Sequence, residues 1–271
     1  MQSVMKASRV VKKRAIVLAV GLVVLAAQRE ALVAQPIVVP NGSFELQSGA
    51  SQPFGINFNI DSWERPANPG YPEGPSFQWF QSAGAFVGTF PNSANPYTNL
   101  VGEQAAYILS LPGAGLFQDN QSTDWSGAAN GLNATFDVGN AYQLTVGVFG
   151  KLRVETTATQ ALMVMLYYRN GANMIPVGLP ATAVYSDQTF NPAGPFGLVD
   201  YTVTTPVVQA GDPWAGQNIG IGIFSIDGDG NGYWDMDNVR LAVVPEPGVL
   251  ALGLLGLASA YVAANRRLRR Q

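Results

Sequence analysis

No stretch between Gln35 and Val243 sustains an apolar period of 3.6 residues, and this absence constrains the fold more than any motif does. Short β-branched and aromatic runs alternate instead with clusters of Gly, Pro, Asn and Ser, from a chain holding 30 glycines and 18 prolines. Helical layers are thereby excluded, and the chain reads as all-β: an antiparallel sandwich of jelly-roll type. Expected strands are 43–47, 57–63, 77–81, 105–111, 132–138, 142–149, 161–169, 198–207, 218–226 and 233–243. The run Met163 to Tyr168 is apolar on both faces and is expected at the centre of the core. In Ile219-Gly220-Ile221-Gly222-Ile223 the isoleucines share one face, and the glycines opposite imply a close approach or an aromatic cover.

The two ends carry a different pattern. Lys6, Arg9, Lys12, Lys13 and Arg14 precede the apolar run Ala15 to Ala27, the layout of a secretory signal peptide, and residues 1–34 are set apart on that ground. At the other end, Val244-Pro245-Glu246-Pro247 stops the last strand because proline cannot continue a ladder. Uncharged, largely apolar residues from Gly248 to Ala264 follow, then Arg266, Arg267, Arg269 and Arg270. Seventeen helical residues at ~1.5 Å each reach roughly 25 Å, a short single transmembrane helix, and the terminal arginines keep that end cytoplasmic. The expected organisation is therefore a signal peptide at 1–34, a β-sandwich ectodomain at 35–243 and a membrane-spanning tail at 244–271.

The order Pro-Glu-Pro, apolar span, arginine cluster resembles the PEP-CTERM sorting signal of Gram-negative, exopolysaccharide-producing bacteria. The resemblance implies export by the Sec machinery and cutting by an exosortase near Val244, Pro245, Glu246 and Pro247. It also implies a destination at the cell envelope, cell surface or extracellular matrix, with a membrane anchor that is removed.

Charge and composition narrow the chemistry of the middle segment. Residues 35–247 carry five basic side chains against seventeen acidic ones, a net charge of −12, the wrong sign for nucleic acid. The chain has no cysteine and no histidine, which removes disulfides, thiolate and Ser-His-Asp catalysis and the usual zinc ligands. Any metal must be held by oxygen.

The opening Val39-Pro40-Asn41-Gly42-Ser43-Phe44-Glu45, Trp63, and the closing Tyr233-Trp234-Asp235-Met236-Asp237-Asn238-Val239-Arg240-Leu241 resemble the galactose-binding-like jelly roll of carbohydrate-binding modules. Gly115-Leu116-Phe117-Gln118 and Tyr142-Gln143-Leu144-Thr145-Val146 resemble inner strands of the same family. The resemblance implies a structural Ca²⁺ held by Glu45 and Asp237. The residues argue in the same direction. Asp237 is two and four positions from Val239 and Leu241, so simple alternation aims its carboxylate at the core, where an isolated charge is costly without a cation, a proton or a partner. A hydrogen-bonded carboxylate pair explains the same residues. Asp227-Gly228-Asp229-Gly230-Asn231-Gly232 has oxygen side chains at calcium-loop spacing but lacks the closing Glu, and reads equally as a hairpin turn. Trp79, Trp125 and Trp214 lie in or beside loops and are the expected stacking residues for a sugar ring, with packing in the core or pinning a loop as their alternative role.

These readings together lead to an exported surface or exopolysaccharide-matrix protein that binds extracellular polysaccharide and is not an enzyme. Two alternatives stand beside it: a structural matrix protein without a small ligand, and a glycoside hydrolase or lyase working through two carboxylates.

Overall fold

A computed structural model of the chain describes residues 34–46, 55–86, 98–124, 126–152, 157–190 and 197–244. The signal-peptide region, Trp125 and the tail from Pro245 onward lie outside these. Pro36–Val243 forms one compact unit; the second, 1–35 with 244–271, falls almost wholly outside the described residues. Among the described residues no helix is long and apolar enough to cross a membrane.

The unit is an antiparallel β-sandwich, as the missing helical period requires. Among the described residues twelve strands are formed: β1 Gln35–Ile37, β2 Ile56–Asn57, β3 Ala83–Phe86, β4 Ala106–Leu109, β5 Gly115–Gln118, β6 Ala141–Leu152, β7 Ala161–Asn170, β8 Asn173–Pro176, β9 Ala181–Val184, β10 Val199–Thr204, β11 Gly220–Asp227 and β12 Gly232–Val244. The larger sheet runs β10-β6-β12-β4-β3-β2, with β1 also paired to β12; the smaller runs β5-β11-β7-β8, with β9 also on β7. A short helix, α1, spans Asp187–Phe190.

The core lies between the sheets. Leu144, Val146 and Val148 of β6 and Trp234 and Met236 of β12 face Leu162, Val164 and Leu166 of β7 and Ile221 and Ile223 of β11, all buried. Each such side chain removed from water contributes about 1.5–3 kcal/mol, so a disulfide-free domain of this size is sustained by its interior. The glycines opposite the isoleucines are covered as expected. The Tyr167 ring lies over Gly220 and the Phe224 ring over Gly222, where a Cβ would collide with them.

The short strands depart from expectation. Residues 77–81 turn into a 3₁₀ helix over Trp79–Ser82, because the Gln78 and Gln81 side chains each bond the other's backbone as a capping box. Residues 43–46 are turn and coil rather than strand, and of 132–138 only Thr135 makes a bridge, to Asn218.

Candidate active site

Strand β12 is the longest element and is hydrophobic on its inner face, yet it carries two carboxylates on the other. Trp234 and Met236 point into the core, so Asp235 and Asp237 point away from the second sheet. After them, Asn238 adopts φ 56°, and this one-residue irregularity returns Val239 and Leu241 to the core. Alternation read from sequence alone put Asp237 on the same side as Val239; the bulge at Asn238 is why it lies on the other.

Asp235 is 1% exposed, and neither of its oxygens has a hydrogen-bond partner among the described residues. In register it faces Tyr107 of β4, which in turn faces Gly84 of β3. A Cβ at Gly84 would stand 2.9 Å from the Tyr107 ring and 2.7 Å from the Asn57 carbonyl, so only glycine lets that ring lie flat here. Phe86 leans on Tyr107 with ring centres 5.3 Å apart, and Tyr107 donates its hydroxyl proton to the Gln81 carbonyl at 3.2 Å. Nearby, the Arg65 guanidinium donates to the carbonyls of Phe58 and Ala83, and burial lowers its pKa.

Burial among such groups disfavours the carboxylate form. Desolvation pushes the Asp235 pKa well above the ordinary value, and the Lys151 charge draws it only partly back. Burial thus favours the protonated form of Asp235, whose oxygens have no acceptor or donor among the described residues. Burial also raises the Tyr107 hydroxyl, which the Arg65 charge offsets in part, so it stays protonated.

A second acidic pair lies at the domain's seam. Gly42 and Val239 are joined by the Val239 N–H donating to the Gly42 carbonyl at 2.8 Å, which brings the opening and closing segments together. The loop before β4 then links both carboxylates. Glu45 accepts the backbone N–H groups of Glu103 and Gln104 at 2.9 and 2.8 Å, and Asp237 accepts that of Val101 at 2.5 Å. Asp237 Oδ1 is buried without a partner. Its pKa is pushed up to about 7, chiefly by desolvation, with the Glu45 charge adding and the bonds from Val101 and Asn238 opposing. Among the described residues no three acidic side chains gather as a metal centre, so an ion here would need carbonyl and water oxygens beside Glu45 and Asp237.

The aromatic residues expected to stack on sugar are placed otherwise. Trp79 is buried, donates its indole N–H to the Pro66 carbonyl at 2.8 Å and stacks on Tyr71 at 5.4 Å. Trp214 packs against the core from the loop before β11, with its indole nitrogen buried. Trp125 lies outside the described residues, as do Pro245, Glu246, Pro247, Arg266, Arg267, Arg269 and Arg270; Val244 ends β12.

Sequence reading missed Asp235 and Tyr107. The available signal was the Asp-Met-Asp spacing inside an otherwise apolar strand, which puts two carboxylates on one covered face; attention to Asp237 alone passed over its neighbour.

The larger sheet thus buries an unpaired carboxyl opposite the Tyr107 ring, with its protonated form favoured by burial. The chain belongs to the HpiC1-like family, described as HpiC1 cyclase, whose model matches residues 35–242. No curated protein matches it. Among solved structures, it is similar to a Stig cyclase, FisC, from Fischerella sp. TAU in complex with (3Z)-3-(1-methyl-2-pyrrolidinylidene)-3H-indole: 22% identity over 79% of this chain and 99% of that one, TM-score 0.47. A cyclase from the same source in complex with 4-(1H-indol-3-yl)butan-2-one gives 21% over 78% and 98%, TM-score 0.49. A xylan-binding CBM22-1 domain from Paenibacillus barcinonensis gives 11% over 73% and 99%, TM-score 0.36.

Family membership corrects the functional expectation. A non-catalytic polysaccharide-binding or matrix protein is not what this family describes, and the reading of the chain as no enzyme falls with it. The resemblance to carbohydrate-binding modules followed strand ends and turn motifs that belong to the jelly roll itself, and a shared fold does not carry a shared ligand.

Proposed function

We propose that the domain is a cyclase that closes a ring in a small, largely apolar, unsaturated substrate by proton transfer from Asp235. Asp235 Oδ–H protonates a π-bond of the substrate and leaves a carbocation. A second π-bond attacks that cation to form the new ring bond, and the proton lost from the closing carbon returns to the Asp235 carboxylate. Atoms balance as an isomerisation, with no oxidant or reductant. The face of Tyr107, with Phe86 beside it, offers electron density to the cation, and the burial of Tyr107 keeps water from quenching it. The observation carrying this reading is the buried carboxyl whose two oxygens have no partner: a purely structural acid would be paired.

The test uses the full-length chain and a panel of unsaturated indole compounds. Expected is a product of unchanged mass and altered retention that gains deuterium in D₂O. Asp235→Asn should lower turnover by about 10²–10⁴-fold, the usual contribution of a positioned acid. A folded Asp235→Asn that cyclises at the wild-type rate removes the assignment.

We propose further that Ca²⁺ lies between Glu45 and Asp237 and ties the opening segment, the loop at 98–104 and the closing strand. The donors fit a hard ion, since all are oxygen and Asp237 Oδ1 is buried with nothing to bind. Calcium at a hundredfold excess over its dissociation constant adds about 2.7 kcal/mol, a rise in Tm of roughly 5–10 °C for a domain of this size. A Tm indifferent to both chelator and Ca²⁺ would exclude the ion.

The signal-like amino terminus and the Pro-Glu-Pro tail support an address outside the cytoplasm, with the tail acting as a sorting signal cut by an exosortase. Mass spectrometry of the protein from its native host should find a carboxyl terminus near Pro245–Pro247. Mature surface chains still ending at Gln271 would refute the cut.

A further inference from the structure

The outer face of the smaller sheet carries chemistry that neither the acid site nor the seam uses. Leu162, Val164, Leu166, Ile221 and Ile223 fill the core, so the alternate residues of β7 and β11 line the opposite side, away from the larger sheet and its Asp235. Among these alternate residues are Met163, Met165, Tyr167, Arg169 and Phe224.

Arg169 is fixed on this face from several directions. Its Nε donates to Asp119 Oδ2 at 2.6 Å, and the Tyr167 hydroxyl donates to the same oxygen at 2.6 Å. Burial, and then Asp119, push the Tyr167 pKa up, with the Arg169 charge opposing, so the hydroxyl keeps the proton it gives. Asp119 is 2% exposed and its Oδ1 accepts the Gln121 N–H at 2.9 Å, so the anchor is itself immobilised. The guanidinium carbon stands 5.4 Å from the centre of the Phe117 ring and 5.9 Å from that of Tyr167. One ion pair and two rings thus hold the guanidinium in place.

The other end of the guanidinium is unused. Its two terminal amino groups make no hydrogen bond among the described residues, and neither is buried. Of its N–H donors only the one on Nε is engaged. Paired with Asp119, the group is neutral overall, so what it offers is a fork of directed donors rather than net charge. A planar carboxylate fits such a fork by accepting two N–H groups at once. Glu64, placed on the same face by its bridge to Phe117, accepts the Thr123 N–H at 3.2 Å.

The floor beside the fork is apolar. Phe117, Gly222 and Met165 lie in register across β5, β11 and β7, with Phe224 and Met163 in the next row. The Phe224 ring lies across Gly115 and Gly222, where a Cβ would stand 2.3 and 2.5 Å from its atoms. Phe117, Met163 and Phe224 are half-buried, and Ile226 beyond them is 44% exposed. Phe117 and Phe224 are diagonal neighbours on paired strands, within reach of one two-ring body.

We propose that this face is a second ligand site, taking a small molecule in which a carboxylate is attached to a planar apolar body. The carboxylate sits on the Arg169 fork and the body lies across Phe117 and Phe224. The site is independent of the cyclase reading, since the core separates it from Asp235.

The probe is 2-naphthoate, with 2-naphthamide as its uncharged counterpart, each titrated calorimetrically into the full-length chain. Saturable binding of the naphthoate is expected, and the amide should bind at least about tenfold more weakly, having lost the second charge-assisted hydrogen bond. Arg169→Lys keeps the charge without the fork and should weaken the naphthoate by about tenfold or more. Phe224→Ala leaves the Asp119–Arg169 pair untouched and should weaken it by about threefold or more. Circular dichroism checks each fold; should Arg169→Lys not fold, the amide comparison and Phe224→Ala decide. No saturable binding of 2-naphthoate, equal binding of the amide, or an affinity unchanged in folded Arg169→Lys or in Phe224→Ala overturns the proposal.

Discussion

Asp235 and Asp237 stand two residues apart on one strand, but the proposed acid chemistry falls to only one of them. Asp237 receives a backbone N–H from Val101 and shares the seam with Glu45, whereas Asp235 receives nothing and faces an aromatic ring. A buried carboxyl with a raised pKa leaves a stability signature. Its unfolded-state pKa lies near the ordinary 3.8. As pH rises past that value the unfolded chain releases the proton while the folded chain keeps it, so wild-type stability falls with rising pH. Asp235→Asn has no such proton. Urea unfolding in chelator should find the variant's advantage over wild type larger at pH 8 than at pH 4.5, even as its turnover collapses. An advantage that does not grow with pH would mean that the carboxyl is solvated or paired.

At the scale of elements, the long strands were readable, and of the short ones β4 fell inside the expected 105–111 while others were missed. β6, β7, β11 and β12 follow their apolar patterns because burial on at least one face enforces the period, and the all-β reading rests on them. β3, β8 and β9 were invisible: four residues each, Ala83–Phe86 is mostly alanine and glycine, and Asn173–Pro176 and Ala181–Val184 take their strand form from pairing with β7. Glu45 and Asp237 were singled out because the opening and closing motifs resemble the galactose-binding-like jelly roll, and the structure hangs both on the loop at 101–104. Asp235 was not, because its environment is created by Tyr107 and Gly84 from strands that sequence cannot register. The bulge at Asn238 is the element-level device that turns the seam carboxylate outward. Asparagine tolerates φ 56° and a β-branched residue does not. Asn238→Val should destabilise the domain by about 1–3 kcal/mol, whereas Asn238→Gly stays near wild type. Equal losses for both would place the cost in the Asn238 to Asn99 side-chain bond at 2.8 Å instead.

At the scale of the molecule, the domain closes by joining its opening segment to its last strand, with seam carboxylates in a unit of net charge −11 (five basic against sixteen acidic side chains in 36–243). If calcium binds the seam as proposed, a proton and an ion equilibrium oppose one another there. Without metal, the Asp237 pKa of about 7 against an ordinary 3.8 makes the protonated seam the stable one. Stability from this group is fully present below pH ~4 and is lost as pH rises to about 7, on the order of 4 kcal/mol in all. With Ca²⁺ the sign turns. The ion binds the carboxylate and not the acid, so its contribution grows over the same interval in which the proton's is lost. Asp235 contributes a falling slope in both conditions and cancels when the two curves are subtracted. Denaturation midpoints of the full-length chain between pH 4 and pH 8 should therefore diverge with and without calcium, meeting near pH 4 and separating most above pH 7. Asp237→Asn should abolish most of that divergence. Curves that stay parallel across the interval would show that proton and cation do not compete for Asp237, and the seam would then be a hydrogen-bonded carboxylate pair.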